Sequence, residues 1–461
     1  MEKAKGKKLF YRPAGKRKGM YTPTQIICVS FVIVIALGTF LLSLPVASKH
    51  GRLDVLNAMF TATSATCVTG LIVRDTWTQF TYFGQAVILL LIQVGGLGLV
   101  TLTSFFALAM RRRMGFRDLR LLGESVSADG YAQAKDVLRI VVGLAACFEG
   151  AGILLLMLAF VPQFGLQGIW ISIFTAISAF CNAGFDLFGQ FGAYSSLVPY
   201  VHNYYVQAVV MFMIIAGGLG FMVWVELIQY PQKRKLSLHA RVVLIFSVLL
   251  WVGGAALIGL LEWNNPGSMG NLSAGDKIMA SLFQSVSTRT AGMNTIDLAA
   301  CGPITKLLMS VLQFIGAAPG STGGGVKVTT FAVLFLTIRS VAQGRDDCVI
   351  ADHHIESKTV YRALTIIVIG ALAAFGSAVV VYYNTSDAVS VIDAIFESCS
   401  AFGTVGLSVG VTARLKDGAK LLYMAVMFMG RVGPVSLAMS LTAKPDDNKR
   451  KIMPVGHINV G

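Results

Sequence analysis

Apolar stretches long enough to cross roughly 30 Å of hydrocarbon recur along the whole chain, at about residues 26–46, 83–110, 137–161, 204–228, 241–261, 305–338, 361–383 and 421–441. This pattern predicts eight membrane-spanning helices. Between the two members of each successive pair lies a shorter, semi-apolar stretch that cannot span and that ends in a glycine-containing turn. Aligned on that glycine, the four read LDVLNAMFTATSATCVTG (53–70), QGIWISIFTAISAFCNAG (167–184), GDKIMASLFQSVSTRTAG (275–292) and VSVIDAIFESCSAFGTVG (389–406). Phe60, Phe174 and Phe396 stand ten residues before the glycine, Phe283 stands nine before it, and a serine recurs at Ser64, Ser178 and Ser400. One unit of span, half-span and span therefore occurs four times.

A single such stretch would be an ordinary amphipathic outer loop. Four in register point to re-entrant helices followed by extended backbone, which membrane depth tolerates only where it is buried in protein or lines a wet cavity. That is the physical description of an ion filter. Its carbonyls would come from Cys67, Val68, Thr69 and Gly70; from Cys181, Asn182, Ala183 and Gly184; from Arg289, Thr290, Ala291 and Gly292; and from Gly403, Thr404, Val405 and Gly406. Uncharged oxygens favour a large, weakly hydrated monovalent cation, whereas calcium selectivity would need acidic side chains in the filter. The fold class expected is an all-α polytopic membrane protein, with four tandem repeats arranged pseudo-fourfold around one pore.

Composition agrees. Of 461 residues, 55% are apolar and 13% charged, and the mean hydropathy is +0.69, far from a soluble domain. The net charge of +15 raises the question of nucleic acid, but the basic residues alternate between connections rather than forming one soluble face. They lie at Lys3–Lys18, at Arg111–Arg113 with Arg117 and Arg120, at Lys233–Lys235 with Arg241, at Arg339 and Arg345, and at Lys444–Lys451. By the positive-inside rule both termini face the cytoplasm. The first apolar run continues without a small-residue cleavage site, so it should remain in the membrane. Seven scattered cysteines, without CxxC or a His/Cys cluster, read as small buried hydrophobes.

With the filters SATCVTGL, SAFCNAGF, TRTAGMN and SAFGTVGL, the motif GGLG at Gly95–Gly98 and again at Gly217–Gly220, GAAPGSTGGGVK from Gly316 to Lys327, and GRVGP from Gly430 to Pro434, the chain resembles the KtrB branch of the TrkH/TrkG/KtrB/HKT superfamily. TrkH-type relatives carry two further N-terminal spans. The resemblance implies potassium uptake across the bacterial plasma membrane, sodium-dependent in many members. It also implies a homodimer with a pore in each protomer, and a cytosolic nucleotide-binding ring of the KtrA or KtrC type, so that any nucleotide binds the partner and not this chain. In plant relatives a serine at the first filter glycine accompanies sodium preference, and Gly70 occupies that place here. Cys67 stands where threonine is common and Cys181 where asparagine is common; neither change removes a carbonyl.

The chain thus divides into a basic tail (1–21), pore repeats at 22–120, 121–236, 237–350 and 351–443, and a C-terminal tail (444–461) that resembles tails contacting a neighbouring protomer. The run Gly316, Ala317, Ala318, Pro319, Gly320, Ser321, Thr322, Gly323, Gly324 and Gly325 interrupts the sixth span. Two readings fit it, a kinked helix packed by small residues or a loop within the membrane, since glycine costs about 1 kcal/mol and proline about 3 kcal/mol in a helix. The resemblance implies a gating loop below the filter. Arg431, within the eighth span, is a functional-site candidate on cost alone, expected under the filter beside that loop. Arg289 needs a partner; the expectation is Glu397, which shares a pore-helix face with Asp393, the three together supporting the filter. Glu262 reads as a solvated helix end and Glu149 has no assigned role. Gly95–Gly98 and Gly217–Gly220 read as close helix crossings rather than dinucleotide turns, and Lys327 does not complete a phosphate loop.

Two other classes are weaker. An organic-solute transporter would show inverted repeats with a midplane site, and an enzyme would show a catalytic constellation. No resident cofactor is expected.

Overall fold

The structure is a computed structural model that describes residues 23–98, 131–345, 348–350, 353–385 and 389–441. The expected basic tails and the arginines between 111 and 120 lie outside the described residues. Four repeats follow one another. The first holds α1 (Pro23–Leu42), α2 (Val55–Thr66), the single turn α3 (Thr76–Gln79) and α4 (Tyr82–Leu97); the second holds α5 (Tyr131–Phe164), α6 (Leu166–Phe180), α7 (Tyr204–Gly218) and α8 (Phe221–Lys233). The third holds α9 (Leu238–Glu262), α10 (Ala274–Ser287), α11 (Pro303–Phe314) and α12 (Val328–Ala342). A two-stranded hairpin, β1 (Val349–Ile350) and β2 (His353–His354), leads to α13 (Ser357–Asn384), α14 (Val391–Gly403), α15 (Asp417–Val432) and α16 (Pro434–Leu441).

The first helix of each repeat (α1, α5, α9, α13) is unbroken and apolar enough to span. Each turns large apolar side chains outward, among them Phe40, Leu158, Leu260 and Leu372, as a lipid-facing helix must. Cys147 lies exposed on α5, which corrects the expectation that all cysteines are buried.

The short helices α2, α6, α10 and α14 are the pore helices. Asp54, Ser273 and Ser390 cap three of them by accepting the backbone N–H of Asn57, Asp276 and Asp393, so each starts at a defined residue. Their C-terminal halves are buried, so the partly negative helix ends point inward, where a cation is favoured.

Two packing rules assemble the ring. Within a repeat the first helix packs on its own pore helix (α1 on α2, α5 on α6, α9 on α10, α13 on α14). Between repeats the second helix packs on the next pore helix: α4 on α6, α7 on α10, α11 on α14 and α15 on α2. The last contact closes the circle.

The second helices differ from the sequence expectation, which had only the sixth span interrupted. α7 and α8 meet at a bend of 100°, α15 and α16 are separated at Gly433, and α4 ends at Gly98. The cause is shared. Gly98 (φ 82°, ψ 132°), Gly220 (φ 88°, ψ 138°) and Gly433 (φ 94°, ψ 135°) adopt one conformation that is closed to residues with a side chain. The last glycine of each GGLG or GRVG motif is thus a helix breaker. The first glycine is the close crossing, since a methyl on Gly95, Gly217 or Gly430 would lie 2.1, 1.8 or 1.9 Å from the carbonyl oxygen of Thr66, Phe180 or Phe402.

Candidate functional site

Each pore helix hands over to its candidate filter strand by the same turn. The N–H of Thr69, Ala183, Ala291 and Val405 donates to the carbonyl of Ser64, Ser178, Ser287 and Ser400, at 2.8, 2.8, 3.0 and 2.9 Å. Ser287 is thus the fourth member of the serine set. The one-residue slip of the third repeat falls within this turn, which spans four residues instead of five and hid the serine from the alignment. Ser178 and Ser287 donate their hydroxyls to the carbonyls of Phe185 and Met293, and Ser400 accepts from the N–H of Gly406. In these three repeats the serine ties the pore helix to backbone at or just past the filter glycine.

The residue two before each glycine is left-handed, with φ of 56° at Val68, 57° at Asn182, 84° at Thr290 and 51° at Thr404, and the glycines follow at 86°, 71°, 78° and 95°. Only the residue between them keeps negative φ. Such sign alternation aims successive carbonyls to one side, unlike a β-strand, and it strains Val68, Thr290 and Thr404 more than Asn182, because β-branched residues avoid this region. The four strands meet tightly. A methyl on Gly70 would lie 2.4 Å from the Ala183 oxygen, one on Gly184 3.1 Å from that of Ala291, one on Gly292 2.2 Å from that of Val405, and one on Gly406 2.3 Å from that of Thr69. A side chain would force the neighbouring strand to shift at Gly70, Gly292 and Gly406, and at Gly184 the positive φ disfavours one.

Outside the ring a cavity of about 310 Å³ has Gly70, Gly184, Gly292 and Gly406 on its wall together with Asp186, Asp297 and Arg414. Buried carboxylates shape the surrounding loops. Glu397 accepts from the backbone N–H of Val409, Val411 and Thr412 and from the hydroxyls of Ser408 and Thr412. Asp75 accepts from the N–H of Thr78 and, across repeats, of Tyr194. Glu262 is 1% exposed and accepts from Asn265, Ser268, Gly302 and Thr305. It is a buried anchor, which corrects its reading as a solvated helix end.

Inside the ring, residues 315–327 form a loop between α11 and α12, closed by a bridge between Ile315 and Val326. The N–H groups of Ala318 and Thr322 donate to Gly218 and Gly217, Gly325 donates to Gly430, and Phe221 donates to Gly320. Repeats two and four hold the loop in place. Arg431 donates to the carbonyls of Thr322, Gly95 and Gly96, so it joins the loop to repeat one. It lies in the last turn of α15, in the place that Gly96 and Gly218 take in the other motifs. The structure brings Arg431 and the loop together, and Lys327 donates to Gly323 within the loop at 2.6 Å.

The expected Arg289–Glu397 pair does not form. Arg289 donates to the carbonyls of Gly316 and Ser247 at 3.1 and 3.4 Å and lies over the Trp251 ring, 5.5 Å from its centroid, while the Glu397 oxygens are taken by the loop after the fourth filter. Asp393 pairs instead with Lys306 at 2.8 Å. Glu149 accepts from Gln93 at 2.9 and 3.1 Å, and the Cys181 thiol lies near both.

The comparisons with known proteins agree with one another. The family profile described as "TrkH: Cation transport protein" matches residues 3–452. The chain is similar to the Ktr system potassium uptake protein B of Bacillus subtilis, 34% identical with 96% of this chain and 97% of that protein covered. It is similar to its namesake from Vibrio alginolyticus, at 38% identity with 95% of each covered. It is also similar to the potassium/sodium uptake protein NtpJ of Enterococcus hirae, 35% identical over 92% of this chain and 93% of that one. Among solved structures, the potassium transporter TrkH from Vibrio parahaemolyticus superposes with a TM-score of 0.69 at 18% identity, covering 93% and 86% of the two chains, and so shares the fold. The chain is a multi-pass membrane protein of four pore repeats, and it belongs to the TrkH family of cation transport proteins.

Proposed function

We propose that this chain takes up potassium across the bacterial plasma membrane through the filter at Gly70, Gly184, Gly292 and Gly406, without a catalytic step. The observation that carries this reading is the closed ring of four strands, whose φ signs alternate and whose glycines each abut a backbone oxygen of the next strand; uncharged backbone oxygens are a ligand set suited to a weakly hydrated monovalent cation. Relatives named as potassium uptake proteins support it. The name of the Enterococcus hirae relative supports a part for sodium as well. Residues 316–325 and Arg431 form the gate: the loop crosses beneath the filter, and the guanidinium adds a positive charge that raises the barrier to cation passage. The same reading includes a homodimer, a cytosolic nucleotide-binding regulatory partner and cytoplasmic termini. Relatives named as parts of a Ktr system and the basic residues at Lys233–Lys235, Arg241, Arg339 and Arg345 support it.

The decisive experiment is growth rescue of a potassium-uptake-deficient bacterium at low potassium, with and without sodium and a cosynthesised regulatory subunit. Rescue is expected, strongest with both; failure in all four conditions would overturn the reading. For the gate, Arg431→Gln and deletion of 316–325 should each raise rubidium flux several-fold in proteoliposomes. Unchanged flux in both removes the gate from the proposal.

A further inference from the structure

The loop meets the filter repeat by repeat. Thr322 lies against Asn182, Gly323 against Thr290 and Gly324 against Thr404, so three consecutive loop residues face the left-handed filter residue of repeats two, three and four. A methyl on Gly323 would lie 2.3 Å from the Thr290 hydroxyl oxygen, and one on Gly324 would lie 2.3 Å from that of Thr404. The contact to repeat two is a hydrogen bond, with the Asn182 Nδ2 donating to Thr322 Oγ1 at 2.8 Å. Thr322 Oγ1 spends its one proton on the Phe180 carbonyl at 3.0 Å, so it must accept from Asn182, which fixes the amide orientation. Asn182 Oδ1, Thr290 Oγ1 and Thr404 Oγ1 are then left buried without a hydrogen-bond partner, on residues 0% exposed. Buried polar atoms are paired as a rule. Three orphaned oxygens at equivalent filter positions point to a ligand that is itself a cation. Repeat one has Val68 at this position and contributes none.

We propose that Asn182 is a positioning residue that latches the loop to the filter, and that withdrawal of the loop hands Asn182 Oδ1, Thr290 Oγ1 and Thr404 Oγ1 to a dehydrating monovalent cation. The latch and the three-oxygen site share one residue, so opening the loop and admitting a cation to the inner end of the filter are linked. A cation that binds these oxygens only when the loop is away favours the open state by mass action. The inference rests on the loop being the gate and deepens that reading.

The test uses the full-length chain in proteoliposomes, with rubidium influx measured against potassium concentration. Thr322→Val removes the latch together with the bond to Phe180, and several-fold higher basal flux with a lower half-saturating potassium is expected, because more of the protein is already open. Thr322→Ser keeps the hydroxyl and should behave as the parent. The double variant Thr290→Val/Thr404→Val keeps the latch and removes two ligands, and its half-saturating potassium should rise several-fold. Asn182→Leu removes latch and ligand together, so basal flux should rise without the fall in half-saturating potassium seen in Thr322→Val. Thermal stability of each purified variant separates these effects from misfolding. If deletion of 316–325 raises flux but Thr322→Val does not, the latch is wrong and the gate stands. If the deletion has no effect, the gate reading itself fails. An unchanged half-saturation in the double variant overturns the oxygen site.

Discussion

Asp186 sits two residues past the second filter glycine, half-buried at the wall of the outer cavity, where its carboxylate accepts the Phe188 N–H at 3.0 Å. Desolvation pushes its carboxyl up to about 7; the Phe188 hydrogen bond opposes the rise and the nearby Asp75 adds to it. Its negative charge is therefore present above pH 7 and lost as the pH falls through that value, while Asp297 and Arg414 share the cavity. Half-saturating potassium for uptake should rise as external pH drops from about 8 to about 6. Asp186→Asn should hold the higher value throughout, and an identical pH dependence in the variant would refute the role. Lys306 and Asp393 offer a second test at this scale, because their side chains are 11% and 22% exposed and the pair joins repeats three and four. Lys306→Met alone strands a partly buried carboxylate, so it should destabilise more than Lys306→Met/Asp393→Leu, with a coupling of about 1 kcal/mol in a thermal-unfolding cycle. A charge exchange between Arg289 and Glu397 should rescue nothing. Sequence pointed to that pair because charged residues advertise their need of a partner, whereas the backbone carbonyls that serve Arg289 leave no mark in a sequence.

At the scale of elements, the second helix of repeats one, two and four ends just past its crossing over the end of its own pore helix. The pore helices were legible because they repeat; the breaks at Gly220 and Gly433 were not, because glycine within an apolar run is as often a packing residue as a breaker. Only the backbone angles distinguish the two. Gly220→Ala should cost roughly 1–3 kcal/mol for the positive-φ, extended conformation alone. It should also disturb the loop, since the added methyl would lie 2.7 Å from the Pro319 oxygen. A lower melting temperature with raised basal flux is expected; a parental melt would mean that the break is not obligatory. Ser287 escaped notice for a related reason: one deleted residue in a turn shifts the alignment without changing what the turn does.

For the whole molecule, the proposed filter is a closed ring in which each strand abuts the next, so on that proposal selectivity belongs to the ring and not to any strand in it. A side chain at Gly70 would meet Ala183 and Gly184 in the next repeat, so the disturbance passes around the circle. Gly70→Ser should cut the preference for potassium over sodium by roughly tenfold, about 1.4 kcal/mol, in competition flux measurements. Retained preference would place selectivity elsewhere. Four-part symmetry was readable because each repeat carries its own copy of the signal. The departures from symmetry were less so, since the loop at 316–325 and Arg431 acquire meaning only through the repeats they touch.

The packing of each second helix on the following pore helix, with α15 returning to α2 and α16 lying against α1, makes neighbours along the chain and neighbours around the pore the same. Each repeat also begins and ends on one side of the membrane. The protein is thus a circle that synthesis opens at one arbitrary seam. A circular permutant beginning at α5, with a linker carrying α16 into α1, should insert, fold and conduct, because among the described residues the contacts between repeats run unbroken around the ring.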